Sequence, residues 1–295
     1  MDLTELFEGA GPSVLAFISK WVQTGLGGQP LFPPIFGTGF FVSKDGIAIT
    51  NRHVVEIFNR VQKHPQTGDL GIAALMFLSG AEDGSWQMLA LEIKDWHVLG
   101  TFSSSDRWFG NQVPDVGFVQ VAVREVPFLT LATEDYYLKI GMEVGTIGYP
   151  MGTLPLTALG KLNQVSPFVR HGVVSSVFPF PTANPHGFTI DIMQQGGSSG
   201  SPIFRKSDGQ VIGMMSSGMM ERKTAQSEEA SLAYTTNTNI SIAEPARILQ
   251  GALDEYMKNV GPKADGFPSL KDLRDKHPLG SVPEDLTWES FRVQK

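Results

Sequence analysis

Apolar residues along this chain come in short runs closed off by glycine, proline or clusters of Asp, Asn and Ser. The runs at 14–18, 39–42, 47–50, 73–78, 88–93, 116–121, 144–148, 173–178, 189–193, 202–204, 211–216 and 232–236 are rich in β-branched or aromatic side chains. Such residues fit a pleated, half-buried surface, and the flanking punctuation supplies the turns. Twelve predicted strands, with no helices alternating between them, argue for an all-β protein built of two six-stranded antiparallel β-barrels. Ser43-Lys44-Asp45-Gly46 and Ser207-Asp208-Gly209 each separate two such runs, and Asp-Gly is a strong hairpin signal because both residues tolerate positive φ. Helical spacing is confined to the ends. It covers 3–8 and 242–256, the latter through Ile242, Ala246, Leu249 and Leu253. Past residue 261 the pattern thins into Pro, Lys, Asp and Gly with isolated large apolar residues, which predicts an extended tail that packs on a domain or serves as a contact arm. The expected organisation is an N-terminal barrel over 1–125, a second barrel with its helix over 126–258, and the tail over 259–295.

Composition narrows the chemistry. A chain of 295 residues can bury roughly three quarters of its unfolded surface. It contains no cysteine, which excludes disulfides, thiolate metal sites and a cysteine nucleophile and leaves packing to hold the fold. No metal or other cofactor is expected. Against 30 acidic residues stand 23 basic ones, for a net charge of −7 and no Lys/Arg cluster, so the attraction that supplies most nucleic-acid affinity is missing and no nucleic-acid partner is expected. The start, Met1-Asp2-Leu3-Thr4-Glu5-Leu6-Phe7-Glu8, is acidic where a signal peptide is basic, and the run at 14–18 is too short to span a bilayer. The expectation is a cytoplasmic protein that does not engage a membrane.

The segment with most chemical content is Gln195-Gly196-Gly197-Ser198-Ser199-Gly200-Ser201-Pro202. A glycine-rich loop that cradles phosphate leads into a helix, whereas Pro202 and the Asp208-Gly209 turn predict a strand. The other use of such a loop is to bring N–H groups together beside a serine hydroxyl, as an oxyanion hole next to a nucleophile. Gly197 and Ser199 are the expected donors. A serine hydroxyl is a poor nucleophile unless a base takes its proton and a carboxylate orients that base. His53 stands just beyond the run at 47–50, and Asp115 at the mouth of the run at 116–121. A carboxylate placed there is partly buried and needs a partner such as an imidazolium N–H. Asp95 and Asp106 lie in the same interval; Asp115 is preferred because strand pattern follows it directly.

These segments resemble the trypsin-like fold, specifically the HtrA-type branch of bacterial trypsin-like peptidases. Gly37-Thr38-Gly39-Phe40, Thr50-Asn51-Arg52-His53-Val54-Val55, Asp115-Val116-Gly117 and Gly197-Ser198-Ser199-Gly200-Ser201-Pro202 are similar, in order, to that branch's Gly-x-Gly-Phe, Thr-Asn-x-His-Val-Val, Asp-Val/Ile-Ala and Gly-Asn-Ser-Gly-Gly/Ser-Pro segments. Gly145-Thr146-Ile147-Gly148-Tyr149-Pro150-Met151-Gly152, Gly172-Val173-Val174-Ser175 and Val211-Ile212-Gly213-Met214-Met215 are lesser echoes. The likeness runs from about residue 12 to about 253, with no PDZ-like module after it. Ser198 departs from the usual Asn and Gly117 from the usual Ala. The stretch between His53 and Asp115 is also longer than in typical relatives, and its residues 64–112 are expected to form loops over the cleft.

The resemblance implies a serine endopeptidase acting on a protein or peptide substrate, with His53, Asp115 and Ser199 as catalytic triad and the N–H groups of Gly197 and Ser199 as oxyanion hole. It also implies a pocket for the residue before the scissile bond, made by Ile192 and Met193 on one side and Met214, Met215, Ser216 and Gly218 on the other. No charge lies among these, so cleavage after small or medium apolar residues is expected; Asp191 is the nearest acid. His171 is expected to be structural. The alternative from another class is a catalytically silent trypsin-like module that binds extended peptides along a strand edge.

Overall fold

The computed structural model describes residues 2–19, 35–61, 68, 70–79, 86–98, 113–132, 138–150, 166–179, 185–226 and 231–277. Strands β1 (Val14–Ser19), β2 (Ile35–Phe41), β3 (Ile47–Thr50), β4 (Ile72–Ser79), β5 (Trp86–Leu91), β6 (Ile93–Val98) and β7 (Gly117–Val121) form a seven-stranded sheet in the order β5-β4-β1-β2-β3-β7-β6. Strands β8 (Glu143–Gly148), β9 (Phe168–Phe178), β10 (Gly187–Ile190), β11 (Pro202–Arg205), β12 (Val211–Gln226) and β13 (Ser231–Pro245) close into a barrel in the order β10-β13-β12-β11-β8-β9. The all-β double-barrel architecture is the one expected, except that the first unit is a seven-stranded half-barrel among the described residues rather than a closed six-stranded one. The additional strand is β6, which reads Ile-Lys-Asp-Trp-His-Val and lies at one end of the sheet order. Polar side chains suit a sheet edge and blur the apolar pattern that marks interior strands. Within 64–112, expected to form loops over the cleft, the strands predicted at 73–78 and 88–93 are present as β4 and β5, and β6 adds a third; 99–112, including Asp106, lie outside the described residues.

Helix α1 (Leu3–Ala10) is held by a reciprocal capping box between Asp2 and Glu5. Helix α2 (Arg52–Phe58) follows β3, although helical spacing was expected only at the ends of the chain. The helix expected over 242–256 is α3 (Ala246–Asn259): Ile242 belongs to β13, and Pro245, which has no N–H to give, stands at the N-cap. The tail is not all extended, for it contains α4 (Leu270–Lys276), capped by Ser269 and Asp272. Strands β12 and β13 run well past their predicted ends as a two-stranded ribbon, where Met220, Leu232 and Tyr234 are exposed and no buried face imposes alternation.

Three apolar clusters hold the molecule. One lies on the α2 face of the first sheet, around Leu15, Phe17, Phe41, Val54, Phe58 and Val119. A second fills the closed barrel with Val144, Val174, Phe188, Ile203, Ile212 and Met215. The third joins both sheets through Val14, Ile18, Phe40, Phe118, Ile147, Phe204 and Met214. Strand β1 is buried along its whole length because its two faces serve two different clusters. The chain ends cross over. Leu6 of α1 packs on Gly145 of β8, so closely that a methyl group added to Gly145 would come within 2.8 Å of it. From the other end, the Tyr256 ring of α3 stacks on Phe118 of β7 at 4.4 Å, and Leu270 of α4 enters the α2-side cluster of the first sheet.

Candidate active site

Asn51 is the N-cap of α2, yet its side chain does not cap the helix. Its Nδ2 instead donates to the Asp115 carbonyl at 3.0 Å, tying the end of β3 to the residue pair that leads into β7. His53 therefore sits in the first turn of α2 beside the Asp115 carboxylate. Its backbone N–H donates to Oδ1 at 3.1 Å and its ring Nδ1 lies 2.8 Å from Oδ2. The ring is half exposed, while the carboxylate is 23% exposed. Gly117, the departure from the usual Ala, is needed here: a methyl group at that position would lie 2.6 Å from Val55 of α2. Asp95, the competing carboxylate, pairs with His97 and Lys263 instead.

The second barrel contributes Ser216. Strand β12 pairs Met215 with Ala243 and Ser217 with Ile242, which leaves Ser216 as the extra residue of a bulge. Bulges re-aim side chains, and this one sends the Ser216 hydroxyl to Asp115 Oδ2 at 2.8 Å. Burial alone pushes the Asp115 carboxyl up. The His53 ring N–H and charge, the Ser216 hydroxyl and the His53 backbone N–H outweigh it and hold the group below the ordinary carboxylate value.

Ser199 lies in the loop from β10 to β11, between two residues of positive φ, Gly197 and Gly200, both at 87°. Strand β2 of the first sheet clamps this loop: Thr38 N–H donates to the Ser199 carbonyl at 2.7 Å, and Thr38 Oγ1 to the Gly197 carbonyl at 2.7 Å. Within the loop, Ser198 N–H donates to Gln195 O and Ser201 N–H to Ser198 O, while Gly200 N–H donates to Met215 O of β12. The N–H groups of Gly197 and Ser199 have no acceptor among the described residues. Behind the loop, Arg170 of β9 spans it with Nη1 on the Met193 carbonyl at 2.6 Å and Nη2 on Ser198 Oγ at 3.0 Å. Loss of hydration pulls its pKa down, and no carboxylate among the described residues pairs with it.

The Ser199 hydroxyl is engaged within its own barrel. It accepts from Gln194 Nε2 at 2.9 Å and lies 3.4 Å from the Ser216 carbonyl. The fold thus brings His53, Asp115, Ser216 and Ser199 into one connected cluster across the two sheets, with Ser216 as the link. It does not bring together all the expected pocket residues. Met214 and Met215 are fully buried in the apolar clusters, Met193 contributes its carbonyl to Arg170, and the exposed Asp191 accepts from Val173 N–H. Gln194 stands beside Ser216 and Gly218 instead, as a methyl group at Gly218 would lie 3.3 Å from its Cβ. The run predicted as strand over 189–193 leaves the sheet after Ile190, the last residue of β10, so strand alternation does not set which way 191–193 face. His171 is an exposed residue of β9. Arg170 and Thr38 carry no sequence signal of their own, because a lone Arg or Thr in a strand is ordinary.

A sheet pair of this topology, with a His-carboxylate pair from one half facing a serine in a glycine loop of the other, defines the class of trypsin-like hydrolases. Residues 37–214 match the trypsin-like peptidase domain, and the chain belongs to that family. It is 26% identical over 251 residues, 73% of this chain, to a probable periplasmic serine endoprotease DegP-like of Halomonas elongata. A protein of the same description from Pseudomonas fulva is 29% identical over 214 residues, 71% of this chain. The matches span 43% and 36% of those relatives' lengths. Among solved structures, HtrA-type protease AlgW with a tripeptide superposes with a TM-score of 0.51 at 15% identity, covering 89% of this chain and 65% of that one. The decapeptide complex of AlgW gives 0.51 and 15%, covering 88% and 69%. These likenesses concern the fold. The expectation of a cytoplasmic protein is corrected by the relatives, which are named periplasmic and point outside the cytoplasm. The acidic first segment and the short apolar run at 14–18, on which that expectation stood, do not by themselves assign a compartment.

Proposed function

We propose that this chain is a serine endopeptidase that cleaves protein or peptide substrates through an acyl-enzyme on Ser199. The observation that carries the proposal is the contact chain from the His53 ring through Asp115 and the Ser216 bulge to Ser199, assembled from both sheets. In this reading Ser199 Oγ attacks the scissile carbonyl and His53 takes its proton, later giving it to the leaving amine. Asp115 holds the imidazole with its Nδ1–H inward, and the unpaired N–H groups of Gly197 and Ser199 receive the oxyanion. Residues 1–125 supply the base and its carboxylate, and 126–258 supply the nucleophile. Triad groups are often loosely aligned before substrate binds, and here the Ser199 hydroxyl, engaged by Gln194 and the Ser216 carbonyl, has to turn to the imidazole. The side chain beside the Ser216 carbonyl and Gly218 is the uncharged Gln194, which supports cleavage after small or medium apolar residues.

Hydrolysis of an unfolded protein, with cut sites read by mass spectrometry, tests both levels. Ser199→Ala is expected to lower kcat by on the order of 10⁶, and a burst of leaving group at the start of turnover marks the acyl-enzyme. Undiminished cleavage by Ser199→Ala overturns the nucleophile; dominant cutting after Lys or Arg overturns the apolar pocket.

A further inference from the structure

Gln194 was not among the residues that the sequence singled out, yet its side chain occupies the most consequential position in the cleft. Its two Nε2 hydrogens are both spent there, one on Ser199 Oγ at 2.9 Å and the other on the Ser216 carbonyl at 3.1 Å. Its Oε1 is buried and has no hydrogen-bond partner among the described residues. Ser216 is the bulge residue whose carbonyl the β12–β13 ladder leaves to other donors, and a free carbonyl on a strand beside a nucleophile is what the N–H of an extended peptide would take. The carboxamide therefore lies where substrate must come.

Resting on the proposed role of Ser199, we infer that Gln194 is an internal occupant of the pocket for the residue before the scissile bond. It holds the Ser199 hydroxyl and the Ser216 carbonyl until a substrate takes both. Three observations agree. A hydroxyl that accepts from an amide has a lone pair withdrawn from attack, and its own hydrogen lies nearest the Ser216 carbonyl rather than the imidazole. A buried carboxamide oxygen without a partner disfavours the resting position, so release recovers part of what the two Nε2 bonds supply. The neighbouring Gly218 offers no side chain against which Gln194 would be locked. Substrate then binds by exchange: its backbone N–H replaces Nε2 on Ser216, its side chain replaces the Gln194 side chain, and Ser199 is freed to turn to His53. Gln194 thereby restricts the pocket to side chains small enough to share it or apt enough to displace it, which makes it a specificity-determining residue.

The experiment measures the second-order rate of labelling by a small fluorophosphonate, which needs the serine hydroxyl but no pocket. Wild type, Gln194→Ala, Gln194→Leu and Ser199→Ala are compared. Gln194→Leu keeps bulk and loses the donors, so both Gln194 variants are expected to label about three- to tenfold faster than wild type, the effect of one net hydrogen bond. In a peptide series that varies only the residue before the cut, Gln194→Ala is expected to gain about tenfold more on leucine or phenylalanine than on alanine, while Gln194→Leu gains no such preference. Equal or slower labelling in both Gln194 variants, with Ser199→Ala silent, overturns the occupant and leaves the nucleophile standing. Labelling of Ser199→Ala, or of none of the four proteins, overturns the nucleophile and the occupant together.

Discussion

Gly200→Ala probes the seam on which the site depends. Gly200 has a φ of 87°, and a methyl group there would stand 1.9 Å from the Thr38 carbonyl oxygen and 2.5 Å from Thr50 Oγ1. Both are buried, and the nearer one is backbone, so neither can swing away. The left-handed conformation costs an L-residue about 1–2 kcal/mol, and an extra methyl in a packed site about 1–3 kcal/mol. The hydrogen bonds from Thr50 Oγ1 to Thr38 O at 2.6 Å and from Thr38 N–H to Ser199 O at 2.7 Å lie in the path of any relaxation, and each is worth about 1 kcal/mol net. Together these give a loss of about 4–7 kcal/mol, a large part of the roughly 5–15 kcal/mol that stabilises an ordinary domain. Gly266 is the control: its φ is 81°, and nothing lies within 4 Å of an added methyl. Gly266→Ala should lose only the backbone part, about 1–2 kcal/mol. Urea unfolding of the two variants, compared at unchanged m-value, isolates the difference. If Gly200→Ala loses no more than Gly266→Ala, then the Ser199 loop is not pressed onto β2 and the seam is not rigid.

Asp115→Asn is expected to lower kcat on peptide substrates by on the order of 10⁴, by favouring the wrong imidazole tautomer; a loss under about tenfold would detach Asp115 from the mechanism. The same residue has a signature in stability. Because its folded pKa is depressed, its contribution is present above the ordinary value of 3.8 and disappears as pH falls through the folded value. The melting-temperature gap between wild type and Asp115→Asn should therefore shrink from about pH 5 to about pH 2, and a constant gap would contradict the depressed pKa. Arg170→Met removes the donors to Met193 O and Ser198 Oγ but also relieves a poorly hydrated cation. These effects offset to a net loss of about 1–2 kcal/mol by urea unfolding, and a stabilised variant would show that the loop does not need the guanidinium.

How much of this was legible in the chain depends on whether the signal is local. The strands were visible because burial on two faces writes continuous apolar runs, as in β1, and turns such as Asp45-Gly46 are chosen by their own φ. The contact of His53 with Asp115 and the sharp loop at Ser199 were legible because a half-buried carboxylate calls for a donor and positive φ calls for glycine. Strand β6 and helix α4 escaped because their apolar residues are few and their burial comes from elements far away in sequence. For the same reason the chain ends could not be placed: nothing local says that Leu6 will pack on the second barrel or Tyr256 on the first sheet. The bulge that turns Ser216 toward Asp115, the guanidinium of Arg170 behind the loop and the carboxamide of Gln194 on Ser199 are set by register and approach between strands. Register belongs to the pairing of two segments and not to either alone, so residue types and spacing determined the family, while the tertiary structure decided which side chains meet at its centre.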